Sequence, residues 1–65
     1  MSDNAPAPVH ELVSERIING HRYRIEFWSE LPGFESNAVL RDGVVIESGL
    51  RMSECRELID KLAAG

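Results

Sequence analysis

The chain has 65 residues, 28% charged and 43% apolar, which places it among ordinary globular sequences and leaves room for one domain. Eleven carboxylates outweigh seven basic residues to give a net charge of −4, so the chain lacks the overall positive charge with which most nucleic-acid binders neutralise phosphates. No apolar run approaches the ~18–20 residues that a membrane span needs, and the first residues show neither the basic nor the apolar region of a secretory signal. The expectation is a cytoplasmic protein with no membrane partner.

The first ten residues, which include Pro6 and Pro8, carry little to bury, so residues 1–10 are expected to form an unstructured tail and residues 11–65 a single folded domain. Residues 11–18 are ambiguous. As a helix they would place Val9, Leu12, Val13 and Ile17 on one stripe. As a strand they would run into Asn19-Gly20, a strong type I′ hairpin signal. The run from His21 to Trp28 then alternates. Tyr23, Ile25 and Phe27 point one way, and Arg22, Arg24, Glu26 and Trp28 the other. A two-residue turn sets Ile18 opposite His21 and Glu15 opposite Arg24, an opposite-charge pair that favours the hairpin.

Leu31-Pro32-Gly33-Phe34-Glu35-Ser36 reads as a loop, with Pro-Gly in a type II turn. A second hairpin follows. Asn37–Arg41 and Val44–Ser48 flank Asp42-Gly43, which sets Leu40 opposite Val45 and Val39 opposite Ile46. Aliphatic residues on both faces predict that this hairpin is covered on both sides near its centre. Residues 53–64 read as a helix with Ser53 as N-cap. Cys55, Leu58, Ile59 and Leu62 form its apolar stripe. Glu54 and Lys61 complement its dipole. The expected fold is α+β, ββββα, a four-stranded antiparallel sheet from two β-hairpins with the C-terminal helix on the face that bears Tyr23, Ile25 and Phe27.

A chain this small buries only about 60% of its unfolded surface. Small scaffolds compensate with disulfides, a metal or self-association. The single cysteine, Cys55, excludes an internal disulfide, and His10 and His21 do not stand at ligand spacing from it, so no metal and no cofactor are expected. Self-association is the remaining device. Catalysis is not expected either. No nucleophile has a motif around it, and Cys55 lies on the buried stripe, where a thiol acts as a small hydrophobe. Glu26, Glu30 and Glu35 read as solvated carboxylates, and His21 as an exposed turn residue.

The helix-free sheet face carries the functional expectation. Val13, Ile17, Arg22, Arg24 and Trp28 mix aliphatic, guanidinium and aromatic groups as the cores of protein interfaces do. They are the candidate partner-binding residues of a small, non-catalytic interaction, adaptor or inhibitor protein of bacterial or phage type. Its expected partner is another protein or a second copy of itself, through that face or through a sheet edge. The alternative is single-stranded nucleic acid bound through Arg22, Arg24 and Trp28. Tyr23 to Phe34, a strand that runs into Leu31-Pro32-Gly33-Phe34, resembles the strand-then-Leu-Pro-Gly opening of HicB-type antitoxins. That resemblance implies a small protein that binds and restrains another. In that family a helix follows soon after, whereas here the hairpin from Asn37 to Ser48 intervenes.

Overall fold

The alternation that starts at His21 is realised as the second strand of an antiparallel meander. The computed structural model describes residues 9–31 and 34–65. Strands β1 (Val9–Ile18), β2 (His21–Leu31), β3 (Phe34–Arg41) and β4 (Val44–Leu50) form one sheet in the order β1-β2-β3-β4, and helix α1 (Met52–Ala64) follows. This is the expected ββββα arrangement. The ambiguity of residues 11–18 resolves to strand because both hairpin turns form. Asn19 and Gly20, then Asp42 and Gly43, all take positive φ, as a type I′ turn requires. Ile18 pairs with His21 and Glu15 with Arg24, as the two-residue turn dictates.

The core lies between β2, β3 and the helix. Tyr23, Ile25, Val39, Cys55 and Ile59 are buried together, with Ile18, Ile46, Leu50, Met52, Leu58 and Leu62 packed around them. The whole predicted helix stripe is therefore used. Phe27 continues the same face of β2 and is half-buried beyond this cluster. In β3, Ala38, Val39 and Leu40 are all buried, so both faces of the strand are covered at its centre, as its aliphatic sequence predicts. On the helix-free side this cover comes from the sheet itself, because Leu40 sits between Arg24 on β2 and Val45 on β4.

Several local expectations need correction. The helix begins one residue earlier, at Met52, and its N-cap is Arg51, not Ser53. The Arg51 N–H donates to the Glu54 carboxylate at 2.7 Å, and Met52 packs on the core, so a turn that starts at Arg51 satisfies a backbone donor and buries an apolar side chain together. Phe34, Glu35 and Ser36 are strand residues, not loop. Leu31 pairs with Phe34, so the ladder runs up to a two-residue connection, Pro32-Gly33, whose turn type lies outside the described residues. Val39 faces Glu47, not Ile46, because the β3–β4 register shifts on either side of Val39. Each shift inserts a residue into β4, and Gly49, at φ 72°, takes a conformation that side chains resist. β1 begins at Val9, inside the expected tail boundary, and residues 1–8 of that tail lie outside the described residues.

The two turns tie the layers together at one end. The Asn19 amide Nδ2 donates to the Ala63 carbonyl at 3.1 Å, capping the last helical turn. Asp42 clasps β2. Its Oδ1 accepts the Arg22 N–H at 3.0 Å, its Oδ2 lies 2.7 Å from His21 Nδ1, and its own N–H donates to the Arg22 carbonyl at 2.8 Å. These contacts hold the Asp42 carboxyl below its ordinary value of 3.8, the Arg22 amide first and the His21 ring second.

Candidate functional site

The helix covers one sheet face and leaves the other open. Residues that stand opposite one another in an antiparallel ladder share a face, so the registers define the open side row by row. Ile17 pairs with Arg22. Glu15, Arg24, Leu40 and Val45 form the next row, then Leu12, Glu26 and Ala38, then His10, Trp28 and Ser36. The β1 register shifts between Leu12 and Ser14, so Val13 is the inserted residue. Counting back from Glu15 in steps of two puts Val13 on the open face as well, next to Leu12.

All five expected residues, Val13, Ile17, Arg22, Arg24 and Trp28, thus fall on this face. They do not form one uniform patch. The centre is polar and internally paired. Glu15 lies 3.5 Å from Arg22 Nε and 3.8 Å from Arg24 Nε, and Arg24 reaches Glu26 at 3.6 Å. Glu26 also accepts the Trp28 indole N–H at 3.0 Å, and the indole stacks on the His10 ring with centroids 4.5 Å apart and planes 15° from parallel. The result is one connected chain along β2, from Arg22 through Glu15, Arg24 and Glu26 to Trp28 and His10. Arg24 Nε is buried with no hydrogen-bond partner; its nearest carboxylate is at ion-pair range only.

The rim is apolar and wet. Ile17 keeps 69% of its surface exposed, and Leu12, Val13 and Val45 are also exposed. Near the turns, Ile17, Arg22, Arg24 and Asp42 line an open groove of about 420 Å³. Alternation places Glu26 on this face beside Arg24 and Trp28, but its reading as a solvated carboxylate needs correction, because it is half-buried and joins the two. The member that local patterning does not reveal is His10, which falls within the expected tail and meets Trp28 only through the bulged β1–β2 register.

Both sheet edges carry register shifts, β1 at Val13 and β4 on either side of Glu47. Bulges twist and interrupt the row of free N–H and C=O groups that edge-to-edge pairing would use.

The described residues contain no cluster of three or more His, Cys, Asp or Glu that could hold a metal, and no helix is long and apolar enough to cross a membrane. Cys55 is free and buried. Burial pushes its thiol up, and the nearby Glu54 charge adds to the effect, which keeps the sulfur in its less nucleophilic form.

No family matches the chain, and no curated protein or solved structure matches it. After the stretch that resembles HicB-type antitoxins, the chain continues as strand β3 rather than as a helix.

Proposed function

We propose that this chain is a non-catalytic protein-interaction module that binds through the helix-free face of its sheet, and that its simplest complex is a face-to-face dimer. The observation that carries the reading is the exposed apolar rim of Leu12, Val13, Ile17 and Val45 around a charged centre that is already internally paired. A large aliphatic side chain such as Ile17 gains most from a partner that removes it from water. The charges of Arg22, Arg24, Glu15 and Glu26 cancel on this face, although the whole chain carries −4. Two copies that meet here therefore gain no net repulsion from these four residues. Strand spacing and rise make the face about 25 by 19 Å, so a twofold pair would bury on the order of 1,000 Å² in total. That reaches the lower bound of about 1,000 Å² for a specific interface.

The nucleic-acid reading is weaker on the same geometry. Both arginines are engaged by Glu15 and Glu26, and one face of the Trp28 ring is already stacked on His10. A base would have to displace those partners before it gained a phosphate contact or a ring.

Sedimentation equilibrium on the wild-type chain and on Ile17→Lys tests the proposal. The expected result is a wild-type dimer that Ile17→Lys dissociates, with the circular dichroism of both chains unchanged. A wild-type monomer at every concentration, which also retains no protein from its source organism that Ile17→Lys fails to retain, refutes it. A salt-sensitive change in Trp28 fluorescence with single-stranded oligonucleotide would favour the nucleic-acid reading instead.

A further inference from the structure

The two hairpin turns share one backbone shape and differ in the chemistry of their first residue. Asn19 and Gly20 take φ values of 53° and 83°, and Asp42 and Gly43 take 52° and 86°. In each turn, a bond from the glycine nitrogen to the side-chain carbonyl carbon of the preceding residue would close a five-membered imide ring. Glycine puts no Cβ in the way of that bond, and a Cβ built at Gly20 would meet nothing within 4 Å. Among the described residues the Gly20 N–H has no backbone acceptor.

Asp42 is protected from this reaction twice over. Its carboxyl is held below the ordinary value, so at neutral pH it is an anion, which repels a nucleophile. Its oxygens are also engaged, one by the Arg22 N–H at 3.0 Å and the other by the His21 ring at 2.7 Å. Asn19 has neither protection. Its side chain is a neutral, exposed amide that one bond, from Nδ2 to the Ala63 carbonyl at 3.1 Å, ties to the last turn of α1. Helix ends open at little cost, so that tie is readily released. Asn37 makes an internal comparison. It is half-buried in β3, donates to the Leu50 carbonyl at 3.1 Å, and is followed by the buried Ala38 rather than by glycine.

We infer that Asn19 is a site of spontaneous deamidation, and that the reaction frees the C-terminal turn of α1 from the first hairpin. The Gly20 nitrogen loses its proton to hydroxide and bonds to Asn19 Cγ. The Cγ–Nδ2 bond breaks, and Nδ2 takes a proton from water and leaves as ammonia. Water then opens the imide at either carbonyl, with nothing oxidised or reduced. One opening leaves an aspartate side chain. The other leaves isoaspartate, whose main chain runs through the former side chain and is one atom longer. Both products exchange the Nδ2 donor for a carboxylate, which cannot donate to the Ala63 carbonyl and stands at the negative end of the helix dipole. Isoaspartate also lengthens the two-residue turn that sets Ile18 opposite His21. The reaction does not depend on what covers the open face, so this inference and the proposed function stand or fall separately.

The test is incubation of the full chain in mildly alkaline buffer. Peptide mapping by mass spectrometry locates aspartate and isoaspartate, and amide hydrogen exchange follows the helix end. Asn19 should react at least about tenfold faster than Asn37, a difference of ~1.4 kcal/mol in barrier. Exchange at Leu62 and Ala63 should accelerate severalfold in the reacted chain and in Asn19→Asp, while exchange at Ile25 stays slow. Asn19→Gly, which has no amide to lose, should not age in this way. Reaction at Asn19 no faster than at Asn37, or none at all, would overturn the inference. So would unchanged exchange at Leu62 and Ala63 in Asn19→Asp, or equal acceleration at Ile25, which would mean that the whole fold loosens rather than the helix end.

Discussion

Ile17 and Ile25 make a controlled pair for testing whether the helix-free face is open in the isolated chain. Both are isoleucines within strands, on opposite faces, and replacement by alanine removes the same atoms and the same strand preference from each. They differ in burial, with Ile17 at 69% exposure and Ile25 at 3%. Removing about three methyl or methylene groups forfeits ~2.4 kcal/mol when they are fully buried, at about 0.8 kcal/mol each. Ile17 has about a third of its surface covered, so Ile17→Ala should cost ~0.7 kcal/mol through burial. Ile25→Ala should cost the whole amount plus a cavity term, about 2–5 kcal/mol. A domain of this size has a total stability of roughly 3–10 kcal/mol, so the second change takes a large share of it. Urea unfolding followed by helix circular dichroism reads both, with a slope near ~1 kcal/mol/M. At micromolar concentration the Ile25→Ala midpoint should fall by about 2 M or more, and the Ile17→Ala midpoint by less than about 1 M. Equal losses at high dilution would mean that Ile17 is covered within a single chain, and the reasoning about the open face would fail. Equal losses that appear only at high concentration are the signature of the face-to-face dimer.

Four further outcomes follow from named contacts. Asn19→Ala loses the bond to Ala63 and forces an alanine to φ near 53°, so it should destabilise by about 1–2 kcal/mol in urea melts, and Asn19→Gly, which relieves the φ, by less. The folded-state value of Asp42 is depressed, so the clasp on β2 contributes fully above the ordinary 3.8 and is lost as pH falls through the lower folded value; the Arg22 amide resonance should titrate over that acidic range, and Asp42→Asn should abolish the titration. Cys55 should resist alkylation in buffer and react at once in urea, and Cys55→Ser should cost about 1–3 kcal/mol because it buries a hydroxyl with no waiting partner; rapid labelling of the folded chain would refute its placement. Replacing both Glu15 and Glu26 with glutamine releases Arg22 and Arg24 from their partners, so that variant, unlike wild type, should bind single-stranded oligonucleotide, with a log–log salt slope of about −1.4 for two phosphates.

Turn chemistry and alternation made most of this architecture readable. Asn19-Gly20 and Asp42-Gly43 demand positive φ at both positions, and few other turns accept such pairs, so the hairpins, the Ile18–His21 pairing and the Glu15–Arg24 pairing followed from local rules. The stripe of Cys55, Leu58, Ile59 and Leu62 likewise announced which side of the helix is buried. The same alternation placed Arg22, Arg24, Glu26 and Trp28 together on one face. Where local rules failed, the missing information was an inserted residue or a competing partner. The bulge at Val13 is invisible in a pattern of apolar and polar letters, because alternation restarts after it, and only with it does His10 reach Trp28. Ser53 is a better intrinsic N-cap than Arg51, but Met52 had a core to enter and Glu54 reached back to the Arg51 amide.

The sequence by itself determined the two type I′ turns, the alternation of β2 and the buried side of the helix, because a turn's φ values and a strand's or helix's period are set within a few neighbouring residues, but it left residues 11–18 open between helix and strand. Only the tertiary structure decided that Asp42 would clasp a strand twenty residues away and that Glu26 would be a half-buried link rather than a solvated acid. Those outcomes depend on which distant groups arrive at hydrogen-bonding distance, and that is set by strand register, bulges and the angle at which one helix crosses the sheet.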